Sequence, residues 1–114
     1  VPDVLLPAHA AALGLTFYDG TQFPQHYRNG VFVALHGSWN RSVAAGYKVV
    51  FVPMANGRPG PIEDFVSNML VSNGENGAAI EAWGRPVGVT VARDGSLLVS
   101  DDGSNVIWKV SARK

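Results

Sequence analysis

The sequence has no cysteine in its 114 residues. Disulfide bonds and thiolate-ligated metal sites are therefore excluded, and no redox compartment is indicated. Charge is scarce too: Asp, Glu, Lys and Arg make up 16% of the chain and cancel to a net charge of zero. A neutral chain has no electrostatic drive towards nucleic acid or an anionic membrane surface, so neither is expected as a partner. No apolar run approaches the roughly 20 residues that a membrane-spanning helix needs. Helical periodicity is weak. Pro24 to Asn29 and Ala8 to Ala12 suffice for one turn each, too short to stand alone. A glycine-rich phosphate loop is missing as well: Asn56-Gly57-Arg58-Pro59-Gly60 lacks the Lys-Ser/Thr pair and the helix that such a loop requires. The chain opens on Val1 with neither methionine nor basic leader, and is expected to be cut from a longer protein or to be a processed end.

What is present is a chain rich in short apolar runs, with 46% hydrophobic residues. The runs are Leu13 to Tyr18, Gly30 to Leu35, Tyr47 to Pro53, Phe65 to Val71, Val87 to Ala92, Leu97 to Ser100 and Val106 to Ser111. They favour Val, Phe, Tyr and Trp and are bounded by Gly, Asn, Asp and Pro, the signature of strands. Arg93-Asp94-Gly95-Ser96 and Asp102-Gly103-Ser104-Asn105 predict tight hairpin turns. The fold class expected is all-β, an antiparallel meander. The sequence also repeats itself. Gly14-Leu15-Thr16-Phe17 matches Gly88-Val89-Thr90-Val91, and Val31–Leu35 is echoed by Ser96–Ser100. Two units follow, about residues 13–71 with four strands and 86–112 with three. Four-stranded meanders in series are blades of a β-propeller, and a three-stranded last blade suits a ring closed by the opposite terminus. Phe17, Phe32, Val50, Val89, Leu98 and Trp108 are expected to pack between the two sheets. Open blade edges predict self-association of the isolated stretch. A free-standing β-sandwich is the alternative architecture.

The segments LGLTFYDG, GVFVALHGSWNR, GYKVVFVP and WGRPVGVTVARDGSLLVSDDGSNVIWKVS resemble the last blades of glucose/sorbosone dehydrogenases, nearest the L-sorbosone dehydrogenase-like branch. The resemblance runs from about Leu6 to Ser111, with HGSWNR and WGRPVGV its more specific parts. It implies a six-bladed propeller with pyrroloquinoline quinone bound near the axis. It implies oxidation of a sugar, electrons passed to an external acceptor, and a periplasmic or secreted location. The family's histidine base and main calcium ligands lie earlier in the chain than anything here. No catalytic residue or metal ligand is therefore assigned. Calcium is expected to be held from outside this stretch, and the stretch alone is expected to be inactive.

His36 follows the strand GVFVAL where the chain leaves the sheet, at the place where the resemblance implies a lysine contacting the quinone's carboxylates. Trp39, Asn40 and Arg41 follow in the same loop: a guanidinium fork suits a carboxylate, and a flat ring can wall off a planar cofactor. Arg85, in Trp83-Gly84-Arg85-Pro86, matches the first of an arginine pair that the family uses to hold its cofactor, and Val87 stands at the second. Arg85 is the leading cofactor-binding candidate. A purely structural role, an arginine bridging two blades, stands beside it. His9 enters the first strand and is a weaker candidate; His26 is expected to be merely exposed. Asn40-Arg41-Ser42 fits a glycosylation sequon. Asp101-Asp102 is expected to form a turn rather than a calcium dyad, because adjacent carboxylates diverge and calcium needs more oxygens. Two further functions compete: a calcium-dependent lactonase-like hydrolase, which calls for clustered axial carboxylates, and a non-enzymatic propeller that binds partners.

Overall fold

The computed structural model describes residues 2–38 and 43–113. In chain order the strands are β1 (Ala12–Phe17), β2 (Val31–Leu35), β3 (Lys48–Val52), β4 (Met54–Ala55), β5 (Arg58–Pro59), β6 (Glu63–Val66), β7 (Leu70–Asn73), β8 (Ile80–Ala82), β9 (Pro86–Val91), β10 (Leu97–Asp101) and β11 (Val106–Val110). Among the described residues helix is confined to single 3-10 turns at Gln25–Tyr27 and Glu75–Gly77. The first sheet runs β1-β2-β3-β6 and the second β9-β10-β11, each strand antiparallel to its neighbour; β4-β5 and β7-β8 form separate hairpins. The all-β meander and its four-plus-three strand division are as the sequence predicts. The fourth strand is shorter than expected. It stops at Val66, because Asn68 takes φ 64° and turns the chain out of the ladder. Leu70 then starts a new hairpin.

The sheet registers realign the internal repeat. Phe17 pairs with Val31 in the first sheet, and Val91 with Leu97 in the second. Val31–Leu35 therefore corresponds to Leu97–Asp101, one residue later than the sequence echo suggests. A one-residue shift in a strand exchanges its two faces. The seam between the sheets is accordingly built from Phe32, Val49 and Phe51 on one side and Leu97 and Val99 on the other, with Tyr18 and Phe23 completing the cluster and Val89 packed against it. Of the six residues expected there, Phe32 and Val89 are in place. Val50 lies on the opposite face with Val33 and Leu35. Phe17 is exposed on that same outer side, as are Leu13 and Leu15. Leu98 points away from the seam, since its neighbours Leu97 and Val99 fill it. Trp108 shares the face of Val99 but is 39% exposed.

Two devices hold the sheets at their closest approach. Gly14 lies against the backbone of β9: a Cβ there would sit 2.6 Å from the Val87 carbonyl oxygen. At the far end Tyr18, fully buried, donates its hydroxyl to Gly95 O at 2.6 Å and accepts from Phe23 N at 3.0 Å. Gly95 supplies the φ of 87° that the Asp94–Ser96 turn requires. Gln22 bonds Asp94 O and Ala112 N beside it. Tyr18→Phe leaves the Phe23 amide and Gly95 carbonyl without their buried partner. It is expected to cost about 1–3 kcal/mol, measured by thermal unfolding of the full-length protein, with little change in ring packing.

Candidate functional site

At the end opposite Tyr18, β2 and β10 finish while β1 and β9 begin. The segment before β1 is laced to the segment after β2: His36 N donates to Ala11 O and Gly37 N to Ala10 O, both at 2.9 Å. His9, exposed and at φ 61°, immediately precedes this pairing and so reaches the same end. The loop after β2 is closed at its neck, where Ser38 N bonds Ala45 O and Ala45 N bonds Ser38 Oγ. Trp39, Asn40 and Arg41, three of the expected cofactor-binding residues, and the sequon serine lie outside the described residues.

Arg85, just before β9, reaches across to this loop. Its Nε donates to His36 O at 3.1 Å, and its Nη2 to Gly37 O at 2.9 Å and Ser38 O at 3.4 Å. The guanidinium carbon lies 5.0 Å from the centre of the Tyr47 ring. Tyr47 in turn lies against Gly37 and donates its hydroxyl to Ser38 O at 2.6 Å. Gly37 is required here: its φ is 101°, and a Cβ would fall 2.3 Å from the Tyr47 ring. Among the described residues no carboxylate pairs with the Arg85 guanidinium, which is partly buried. Among the described residues its charge is met by carbonyl dipoles and a ring face. The geometry thus brings Arg85 and His36 together.

The backbone of Arg85 is fixed by Asp101, whose side chain is buried. Oδ1 accepts Arg85 N at 2.8 Å, Gly103 N at 2.9 Å and Ser104 N at 3.1 Å. Oδ2 accepts Trp108 Nε1 at 2.9 Å and Ser104 Oγ at 3.1 Å. Burial works against the charge of this carboxyl, but the bonds from Arg85, Trp108 and Ser104 outweigh it and hold its pKa below the ordinary 3.8. Asp102 diverges from Asp101, as expected of a turn. It is exposed, and its Oδ1 lies 2.7 Å from His36 Nε2. By the sheet registers His36 and Asp102 are equivalent positions of the two repeats, each the first residue beyond its second strand. At the opposite end His26 pairs with Glu63 at 2.8 Å, while Lys48, across from Leu35 at the near end of β3, pairs with Asp64 at 2.8 Å. Glu63 and Asp64 both stand on β6. Sequence reasoning missed Tyr47. Its only sequence signal is a tyrosine after Gly46 at the mouth of a strand.

Four- and three-stranded antiparallel meanders stacked face to face, with polar loops gathered at one end, define consecutive blades of a β-propeller. The chain belongs to the TrAA12-like family, whose model matches residues 1–113. It is 38% identical over its whole length to an uncharacterized protein of Borreliella burgdorferi, of which it covers 29%. It is 37% identical, over 94% of its length, to the pyrroloquinoline quinone-dependent pyranose dehydrogenase of Coprinopsis cinerea, of which it covers 16%. The holo form of that enzyme's quinone domain superposes on 97% of the chain with a TM-score of 0.72 and 31% identity, the chain spanning 29% of that domain. A Trichoderma reesei enzyme of carbohydrate-active family AA12, with a TM-score of 0.53 over 72% of the chain and 21% of its own, shares the fold at 24% identity. The family resemblance read from the sequence is borne out, and the chain spans less than a third of each of these relatives.

Proposed function

We propose that this chain is part of a pyrroloquinoline quinone-dependent dehydrogenase that oxidises a sugar of the pyranose or sorbosone type. The observation that carries the reading is Arg85: a partly buried cation that pairs with no carboxylate among the described residues, anchored at the blade ends beside His36. Such a cation suits a tricarboxylate cofactor, since an anion drawn from water needs a fixed guanidinium to neutralise it. His36 fits less directly, because its Nε2 is committed to Asp102. Arg41, Asn40 and Trp39 join the proposed site on the strength of their motif. When bound, the quinone supplies a two-electron acceptor for the sugar's carbon–hydrogen bond, and an external acceptor reoxidises it. The residues here anchor and orient; the proton-accepting base and any calcium ligands are assigned to the rest of the protein. Arg85 holds the 36–38 carbonyls in place, so that the loop wall and the cation move as one body.

The reading carries with it a secreted or periplasmic location and an isolated stretch that is inactive and self-associating. The test is turnover of the full-length protein, supplied with pyrroloquinoline quinone and calcium, with a dye acceptor and a panel of pyranoses and sorbosone. Dye reduction that needs both quinone and sugar is expected. Dye reduction by none of the panel, with the quinone demonstrably bound, would overturn it.

A further inference from the structure

Tyr47, at the mouth of β3, is held in a conformation that its residue type disfavours. Its φ is 61°, in the left-handed region where a bulky side chain is an outlier. Strain of that kind persists where the surrounding structure over-determines it, and it gathers at active sites and ligand clamps. Three contacts fix the side chain. The ring is buried against Ala44 and Met69. The hydroxyl donates to Ser38 O at 2.6 Å, at the neck of the loop after β2. The ring face lies 5.0 Å from the Arg85 guanidinium carbon. The packing is itself anchored, since Ala44 N donates to Asn73 O at 2.7 Å and ties the neck to the β7-β8 hairpin.

The Arg85 guanidinium is bonded along one edge, through Nε and Nη2, to the carbonyls of His36, Gly37 and Ser38. Bonds along one edge leave the group able to swing about that edge. A ring face against the guanidinium supplies the missing constraint, because a cation is attracted to the face of an aromatic ring rather than to its rim. The Tyr47 hydroxyl acts in the same sense. It shares Ser38 O with Arg85 Nη2, so ring and cation grip one carbonyl. The arm left over is Nη1, which bonds none of the described residues. Ring and carbonyls together set the direction in which Nη1 is offered.

We infer that Tyr47 is a positioning residue of the quinone site: acting through Arg85, it sets the plane in which the guanidinium meets a carboxylate of the cofactor. The choice of quinone as ligand rests on the proposed function; the positioning rests on the Tyr47, Arg85 and Ser38 geometry. The test is a double-mutant cycle on the quinone-free full-length protein. Tyr47→Leu, Arg85→Ala and the pair are each titrated with pyrroloquinoline quinone by equilibrium dialysis. Tyr47→Leu is expected to weaken binding roughly tenfold when Arg85 is present, and by under about twofold when Arg85 is already alanine, because the ring then has no cation to orient. Tyr47→Phe keeps the ring and is expected to recover most of the loss. Equal losses in both backgrounds, or no loss in either, would overturn the inference. A second readout needs neither quinone nor a Tyr47 variant: the Arg85 Nε–H resonance of arginine-labelled wild type, assigned by its absence from Arg85→Lys. Held between His36 O and the ring, it is expected to exchange with water roughly tenfold more slowly than a free arginine side chain. Exchange as fast as that of a free side chain would overturn the positioning, whether or not the variants fold. Wild type that fails to bind the quinone would contradict the proposed function, while the Nε–H exchange still decides the positioning.

Discussion

Asp101→Ala is expected to destabilise the full-length protein by at least about 3 kcal/mol, the scale for disrupting a buried charged hydrogen-bond network. Removing the carboxylate strands the amides of Arg85, Gly103 and Ser104 and the indole of Trp108, all of which it now satisfies. Asp101→Asn separates geometry from charge. The amide oxygen can stand in for Oδ1 and keep the three main-chain donors. The amide nitrogen then faces Trp108 Nε1, donor against donor, so a loss of about 1.5–3 kcal/mol is expected to remain. The pH dependence carries a further signature. A carboxyl held below its ordinary value contributes stability that is fully present above about pH 4 and lost as pH falls through the folded-state value. Wild type should therefore lose stability on acidification below pH 4, and Asp101→Asn should lose less over the same interval. Chemical unfolding at a series of pH values measures both. Equal acid sensitivity of the two proteins would show that Asp101 is not held ionised by its donors.

Arg85→Ala is expected to weaken quinone binding by roughly 1.5–3 kcal/mol, the range for a hydrogen bond to a charged group. Arg85→Lys restores the charge without the planar fork. A single ammonium cannot at once bond the carbonyls of His36, Gly37 and Ser38 and lie flat against Tyr47, so only part of the loss should return. Both variants also release the 36–38 loop, so stability must be measured beside affinity. If quinone affinity is unchanged in both variants while thermal stability falls, Arg85 is a strut between blades and nothing more.

The fold was largely legible because its turns are chemically explicit: Gly95 sits where a positive φ is needed, and the Gly14 and Gly88 repeats mark two inner strands. Face assignment was not legible in Val31-Phe32-Val33. Both faces of β2 are apolar, since Val33 and Leu35 line one cluster and Phe32 the other, and the period-two signal that fixes a strand's phase disappears. The end of the fourth strand was hidden in a continuous apolar run, because nothing in FVSNMLV announces that Asn68 will adopt a positive φ. At the site, the meeting of His36 with Arg85 followed from blade topology and motif. The roles of Tyr47 and Asp101 did not. Each depends on main-chain groups, Ser38 O and the amides of Arg85, Gly103 and Ser104, and these carry no residue-type signal.

The measurement that bears most directly on the central claim is titration of the quinone-free full-length protein with pyrroloquinoline quinone by equilibrium dialysis, followed by anaerobic addition of pyranoses to the loaded protein. Saturation at one equivalent, with the absorbance of the bound quinone bleached by at least one sugar, is the predicted result. Failure to saturate, or a bound quinone that every pyranose and sorbosone leaves oxidised, would contradict the account.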